Sequence, residues 1–342
     1  MANIFFSKFS MLALLGLCTL SCALGTLSLD ESSSVSVSLA KTNRSSVYTE
    51  STESWGESTD TNFFLGEVIL ESSDFVYQRV LVEDELEDPL SVRYPFWIKY
   101  PAMDKPWLIL KDNYFLTGVS ELGISPQPTT LYSEYPNMAI IIRGQSEEGF
   151  LKCEEKWTIQ DAVKKGIQMI QILQQLYSVG VIHGAVRVEN FLHAEEDRLL
   201  IANFEHAKMA GGNSTMRWSA SPWRAFSGGD GRSFRDDLFG ALMSIAALMN
   251  GPEYIEIMGN RMRQGHDWRS RILWSPNPSI FWIDEITNPL DLETIGNATR
   301  AEITGSFMSI QRTVNRLGPM TDMNPIYVAI IGKLQYIANL LE

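Results

Sequence analysis

The sequence has little cysteine, little histidine and no surplus of positive charge. Only three of 342 residues are Cys, and two of them, Cys18 and Cys22, fall in an apolar N-terminal stretch. Cys153 is the one thiol beyond it, which excludes an internal disulfide, so the folded part must stand on its core. We expect Cys153 to be a buried or partly buried small residue. The four His are scattered and none is spaced with Cys, which excludes a zinc-type ligand set. A formal net charge of -13 argues against nucleic acid or an anionic membrane as the main partner. There is no Gly-x-Ser-x-Gly elbow with triad partners in order, so a serine hydrolase is set aside. No apolar run reaches the ~20 residues that a membrane-spanning helix needs.

What is present is apolar and aromatic. Hydrophobic residues make up 45%, with 9 Trp and 16 Phe, enough for a sizeable core. The N-terminus has a positive flank at Lys8, an apolar run over residues 11–20, and small residues at Ser21, Cys22, Ala23 and Gly25. This is the layout of a secretory leader, expected to be cleaved after about Gly25 and to leave no transmembrane span. Removing Lys8 and no acid takes the charge from -13 to -14. Three Asn-x-Ser/Thr sequons, at Asn43, Asn213 and Asn297, fit a secreted chain.

Residues 26–61 are crowded with Ser, Thr and Glu and lack sustained periodicity, so we read them as a flexible arm. Residues 63–70 and 75–82 are strand-like runs around a turn, Glu71-Ser72-Ser73-Asp74, which predicts a hairpin. Residues 94–100 and 138–142 read as further strands, and 108–122 as a helix that Gly118 weakens. The acidic run over 83–88 reads as a solvated loop. Thr158 followed by Asp161 is a helix start. Apolar residues then recur at Val163, Ile167, Ile170, Leu173 and Leu176 until Gly180 stops the helix. Later helices are expected over 237–249 and 325–341. Strands first and helices afterwards point to an α+β chain.

The segment Val181-Ile182-His183-Gly184-Ala185-Val186-Arg187-Val188-Glu189-Asn190 resembles the catalytic loop of protein kinases. That loop runs His-Arg-Asp, then Lys two and Asn five residues past the Asp. His183 and Asn190 match, and Arg187 stands at the Lys position. Thirteen residues past Asn190, Asn203-Phe204-Glu205 takes the place of Asp-Phe-Gly. Upstream, Phe96-Trp97-Ile98-Lys99 is similar to the strand with the phosphate-binding Lys, and Leu65-Gly66 to the glycine-rich hairpin. Downstream, Ser219-Ala220-Ser221-Pro222 and Arg235-Asp236-Asp237-Leu238 resemble the casein kinase 1 branch.

The resemblance covers roughly residues 62–342. It implies a two-lobed kinase-like fold, with a small β-rich lobe to about residue 144 and a large helical lobe over 145–342. It implies nucleotide binding at Lys99 and Gly66, metal binding at Asn190 and Asn203, and a backbone-anchoring role for Asp237.

The departures fall on the chemistry. Phosphoryl transfer needs positioned charge, metal ligands and a carboxylate to take the hydroxyl proton. The proton-accepting Asp is replaced by Ala185, and a methyl accepts nothing. The metal-binding Asp is replaced by Asn203, which brings no negative charge, although magnesium favours carboxylates. Glu205 is the remaining acid nearby. The hairpin turn carries two acids where the family's backbone approaches phosphate. By spacing, the helix acid that pairs with Lys99 is Asp112, one methylene shorter than the family's Glu. The expectation is a secreted pseudokinase acting as a binding scaffold or allosteric partner of another protein. ATP is the candidate ligand and magnesium the weaker one. The rival is an active atypical Ser/Thr kinase of the secretory route.

Overall fold

In a computed structural model the structure describes residues 47–50, 61–71, 75–82, 96–101, 106–132, 138–144, 146, 148–211, 233–252, 254, 295–318 and 321–342. The architecture is mixed α+β. Six strands form one antiparallel sheet in the order β1-β2-β3-β4-β6-β5. They are β1 Val47–Glu50, β2 Thr61–Glu71, β3 Phe75–Val82, β4 Phe96–Pro101, β5 Pro128–Tyr132 and β6 Ala139–Arg143. The β2–β3 hairpin and strands β4 and β6 lie where alternation and β-branched residues put them. The register of β2 on β3 shifts between Leu65 and Val68, the interval that holds Gly66. Such a shift is where an unbranched residue costs least.

Two strands were not legible. Val47–Glu50 lies inside the stretch read as a flexible arm, yet it pairs antiparallel with Thr61–Phe64. Val, Tyr and Thr suit a pleated ribbon, and β2 offers them a free edge. Strand β5 is an edge strand on β6 that begins at Pro128. The stretches read as a leader, as most of a flexible arm, as the turn after Glu71 and as an acidic loop lie outside the described residues, as do residues 212–232, Asn43 and Asn213.

Helix α1 (Pro106–Ser120) packs against β4 and buries Leu108, Ile109, Asp112, Phe115, Leu116 and Val119. Gly118 does not interrupt it, because that buried face rather than propensity holds the helix. Helix α2 (Ile159–Ser178) starts as read: Thr158 Oγ1 accepts the Asp161 N–H at 3.1 Å. Gly180 follows at φ 73°. Helix α2 packs on both α3 (Phe234–Asn250) and α5 (Asn324–Leu340). Helix α3 begins earlier than expected, because Ser233 and not Asp237 caps it, accepting the Asp236 N–H at 3.3 Å. It is buried from Asp236 to Asn250. Helix α4 (Asn297–Asn315) was not expected; Ile303, Phe307, Ile310 and Val314 form its buried stripe against a Ser- and Thr-rich background.

Between α2 and α3 the described residues hold four short strands: β7 Val181–Ile182 pairs with β10 Lys208–Met209, and β8 Phe191–Ala194 with β9 Arg198–Ile201. The β8–β9 turn places Glu196 and Asp197 at φ 59° and 58°, conformations L-residues rarely adopt. Lys165 of α2 holds it by pairing with the Asp197 carboxylate and donating to the Asp197 carbonyl at 3.0 Å. One continuous apolar cluster joins the sheet (Tyr77, Trp97, Ile140) to the helices (Ile170, Leu242, Ile330). Cys153 is partly buried, donates to the Ala247 carbonyl at 3.1 Å, and burial pushes its thiol up to about 11, so it is unreactive. Among the described residues no helix is long and apolar enough to cross a membrane.

Candidate functional site

The fold brings Lys99 of β4, Asp112 of α1 and the segment Asn203-Phe204-Glu205 to one point between the sheet and the helices. Lys99 is 1% exposed. Its Nζ donates to Asp112 Oδ2 at 2.5 Å, to Glu205 Oε2 at 2.8 Å and to Asn203 Oδ1 at 3.0 Å. An ammonium has three protons, and all three are used. Asp112 therefore does reach Lys99 despite its short side chain. It can do so because α1 lies directly on β4, and its other oxygen accepts the Phe204 N–H at 2.7 Å.

The network continues through neutral groups. Asn203 Nδ2 donates to Asn190 Oδ1 at 2.8 Å, and Asn190 Nδ2 donates to the Ala185 carbonyl at 2.5 Å. Asn203 sits at φ 69°, in the left-handed region that Asn tolerates. Asp112, Asn190 and Asn203 are fully buried, and Glu205 is 2% exposed. Aromatic rings of β3 close the remaining side. Lys99 Nζ lies 4.1 Å from the Phe75 ring centroid and 5.3 Å from that of Tyr77, and both rings are buried.

Electrostatics follow from one cation facing two carboxylates in a dry site. Burial works against the Lys99 charge, but Asp112 and Glu205 more than offset it, so its pKa is raised. Burial raises the Asp112 carboxyl to about 6, a push that the Lys99 ammonium only partly opposes and that Glu205 reinforces. Burial would also raise Glu205, yet Lys99 and His206 hold it at about 2. The two acids share one ammonium and titrate as a coupled pair, one kept ionised and the other pushed up.

Beneath this chamber the loop 183–190 is anchored to α3. Asp237 accepts the His183 N–H at 2.7 Å and the Gly184 N–H at 2.8 Å, the role the resemblance implies for it. Gly184 sits at φ 78°, a conformation that favours glycine. His183 is fully buried; its Nε2 faces the Ala202 carbonyl at 2.9 Å, and its Nδ1 accepts the Ala185 N–H at 3.3 Å. That pairing defines a neutral ring with the proton on Nε2. Burial accordingly lowers its pKa to about 4. The ring packs edge-on against Phe204, with centroids 4.7 Å apart. Arg187 is partly exposed, with its Nε 3.8 Å from Glu189 Oε2.

A magnesium nucleotide does not fit this donor set. Lys99 has no proton left for a phosphate. Each amide oxygen nearby already accepts one hydrogen bond, that of Asn203 from an ammonium, and neither brings the negative charge that magnesium favours. Ala185, at the position where the resemblance implies a proton acceptor, carries only a methyl. Among the described residues no group of three or more His, Cys, Asp and Glu is arranged to hold a metal ion.

Sequence reasoning brought Lys99, Asp112, Ala185, Asn190, Asn203 and His183 into view. It missed the pairing of Glu205 with Lys99 and the closure by Phe75 and Tyr77. One signal for the first was present: the segment 203–205 does not lose its carboxylate but carries it two residues later. Compared with known proteins, the chain matches no family model and no curated protein.

Proposed function

We propose that this chain is a catalytically impaired protein-kinase-like protein, a pseudokinase, that enters the secretory route and acts as a binding scaffold or allosteric partner for another protein. In this reading the six-stranded sheet with α1 forms the small lobe and the helices α2 to α5 belong to the large one. The carrying observation is that Lys99 spends its three protons on Asp112, Glu205 and Asn203. The cation that would grip nucleotide phosphates instead ties α1 and the segment 203–205 to the sheet. Ala185 removes the base as well, so binding and chemistry are both disabled at their own positions. A general base typically contributes roughly 10²- to 10⁴-fold.

The test is transfer of labelled phosphate from ATP by the purified protein to generic Ser/Thr substrates and to its own Ser-rich arm. Run beside it is the doubly restored variant Ala185→Asp, Asn203→Asp. The proposal expects no transfer from either, because restoring the two acids leaves Lys99 neutralised by Glu205. Transfer by the unmodified protein supports the rival active kinase. Transfer by the restored variant alone means that only two groups were missing and that the chamber opens.

A further inference from the structure

Of the three sequons only that at Asn297 lies among the described residues, and its setting differs from that of a chance triplet packed into a core. Asn297 is the first residue of α4, and Gly296, Asn297 and Ala298 are exposed. Helical side chains lean towards the N-terminus, so a group on the first residue extends past the helix end rather than along its packed face. The N-cap is Gly296, and no side-chain capping bond forms there, so the helix start makes no demand on the Asn297 amide. A Cβ built on Gly296 meets nothing within 4 Å, which marks open space at this end. The buried stripe of α4 begins only at Ile303, clear of the sequon. The middle residue is Ala and not Pro, and Thr299 supplies the hydroxyl that the sequon requires.

We infer that Asn297 carries an N-linked glycan that projects from the start of α4. This rests on the secretory part of the proposed function, since the reaction takes place on the lumenal side. The donor is an oligosaccharide on a lipid pyrophosphate. The Asn297 amide nitrogen forms a bond to the anomeric carbon of the first sugar, and the bond from that carbon to the pyrophosphate oxygen breaks. The lipid pyrophosphate leaves with the bonding electrons, and the amide nitrogen gives up one proton to the transferase. No oxidant or reductant is involved. A glycan here keeps the start of α4 facing solvent, so a protein partner must dock elsewhere.

The experiment expresses the full chain with its leader in animal cells. It reads mobility before and after treatment with a peptide N-glycosidase, together with peptide mass across position 297. Asn297→Gln and Thr299→Ala should each remove one glycan-sized step. Thr299→Ser, which keeps the hydroxyl, should retain it. Secreted, leader-cleaved protein with an unmodified Asn297 overturns the inference and leaves the secretory reading standing. Protein that keeps its leader and stays in the cytosol overturns both.

Discussion

Two buried polar clusters lie side by side in this protein, and they are built on opposite principles. The anchor of loop 183–190 is a single carboxylate, Asp237, serving two backbone N–H groups, beside a neutral His183 whose two ring nitrogens both have partners. The Lys99 chamber concentrates three charged side chains that satisfy one another and leave an excess of negative charge. At the anchor the residues that match the kinase pattern, His183 and Asp237, are in place. In the chamber the sequence departs from that pattern at Asn203 and Glu205, and there Glu205 pairs with Lys99. Holding a loop in shape and holding a ligand are thus separable. The first needs one acid under the backbone, whereas in the chamber a neighbouring acid takes the cation.

The largest effect should come from removing the shared cation. Lys99→Met takes the shared cation from two buried carboxylates, leaving Asp112 the Phe204 N–H and Glu205 the more distant His206, and should cost about 3–5 kcal/mol in denaturant unfolding, the usual penalty for breaking a buried pair. Adding Glu205→Gln should recover part of that loss. A Lys that faced an open ligand site would show neither the loss nor the recovery.

The next effect sharpens the contrast through pH. His183, held neutral with a pKa of about 4, contributes stability that is present above the ordinary His value and lost as pH falls towards 4. Asp112, raised to about 6, acts the other way: its contribution is present below the ordinary Asp value and lost as pH rises towards 6. The two contributions therefore oppose each other between about pH 4 and 6.5. In Asp112→Asn the His183 slope should stand alone, and the variant should lose stability on acidification more steeply than the unmodified protein. Equal slopes would show that Asp112 does not titrate in this window. Glu205, held at about 2, keeps its contribution above the ordinary Glu value and loses it only below that, as pH falls towards 2.

A smaller effect should break the anchor without touching any charge. A Cβ on Gly240 would lie 2.5 Å from the Val186 carbonyl oxygen, a backbone atom that cannot swing aside. Gly240→Ala should therefore push loop 183–190 off α3 at a cost of about 1–3 kcal/mol, seen as a lower unfolding midpoint. A midpoint unchanged or raised would mean that the loop rests on α3 less tightly than described.

Much of this was legible because it is local. The Thr158 cap, the spacing from Val163 to Leu176 and the β2–β3 hairpin are read from neighbouring residues. The loop from His183 to Asn190 is likewise a contiguous pattern. The chamber is not local: Glu205 meets Lys99 across 106 residues and Asp112 meets it across 13. Whether a short acid reaches depends on how closely α1 lies on β4, and no spacing rule supplies that distance. Helix α4 was hidden differently, since its four buried residues keep helical spacing but Ser, Thr and Gly between them mute the signal.

A chamber closed around its own ions, as the proposed function has it, should take no nucleotide. The direct measurement is the melting temperature of the full protein at saturating ATP, with and without magnesium. A ligand that binds only the folded state must raise it, by an amount that grows with ligand concentration over Kd. The account predicts no shift under either condition. A rise that requires magnesium and disappears in Lys99→Ala would contradict it and restore a working nucleotide site.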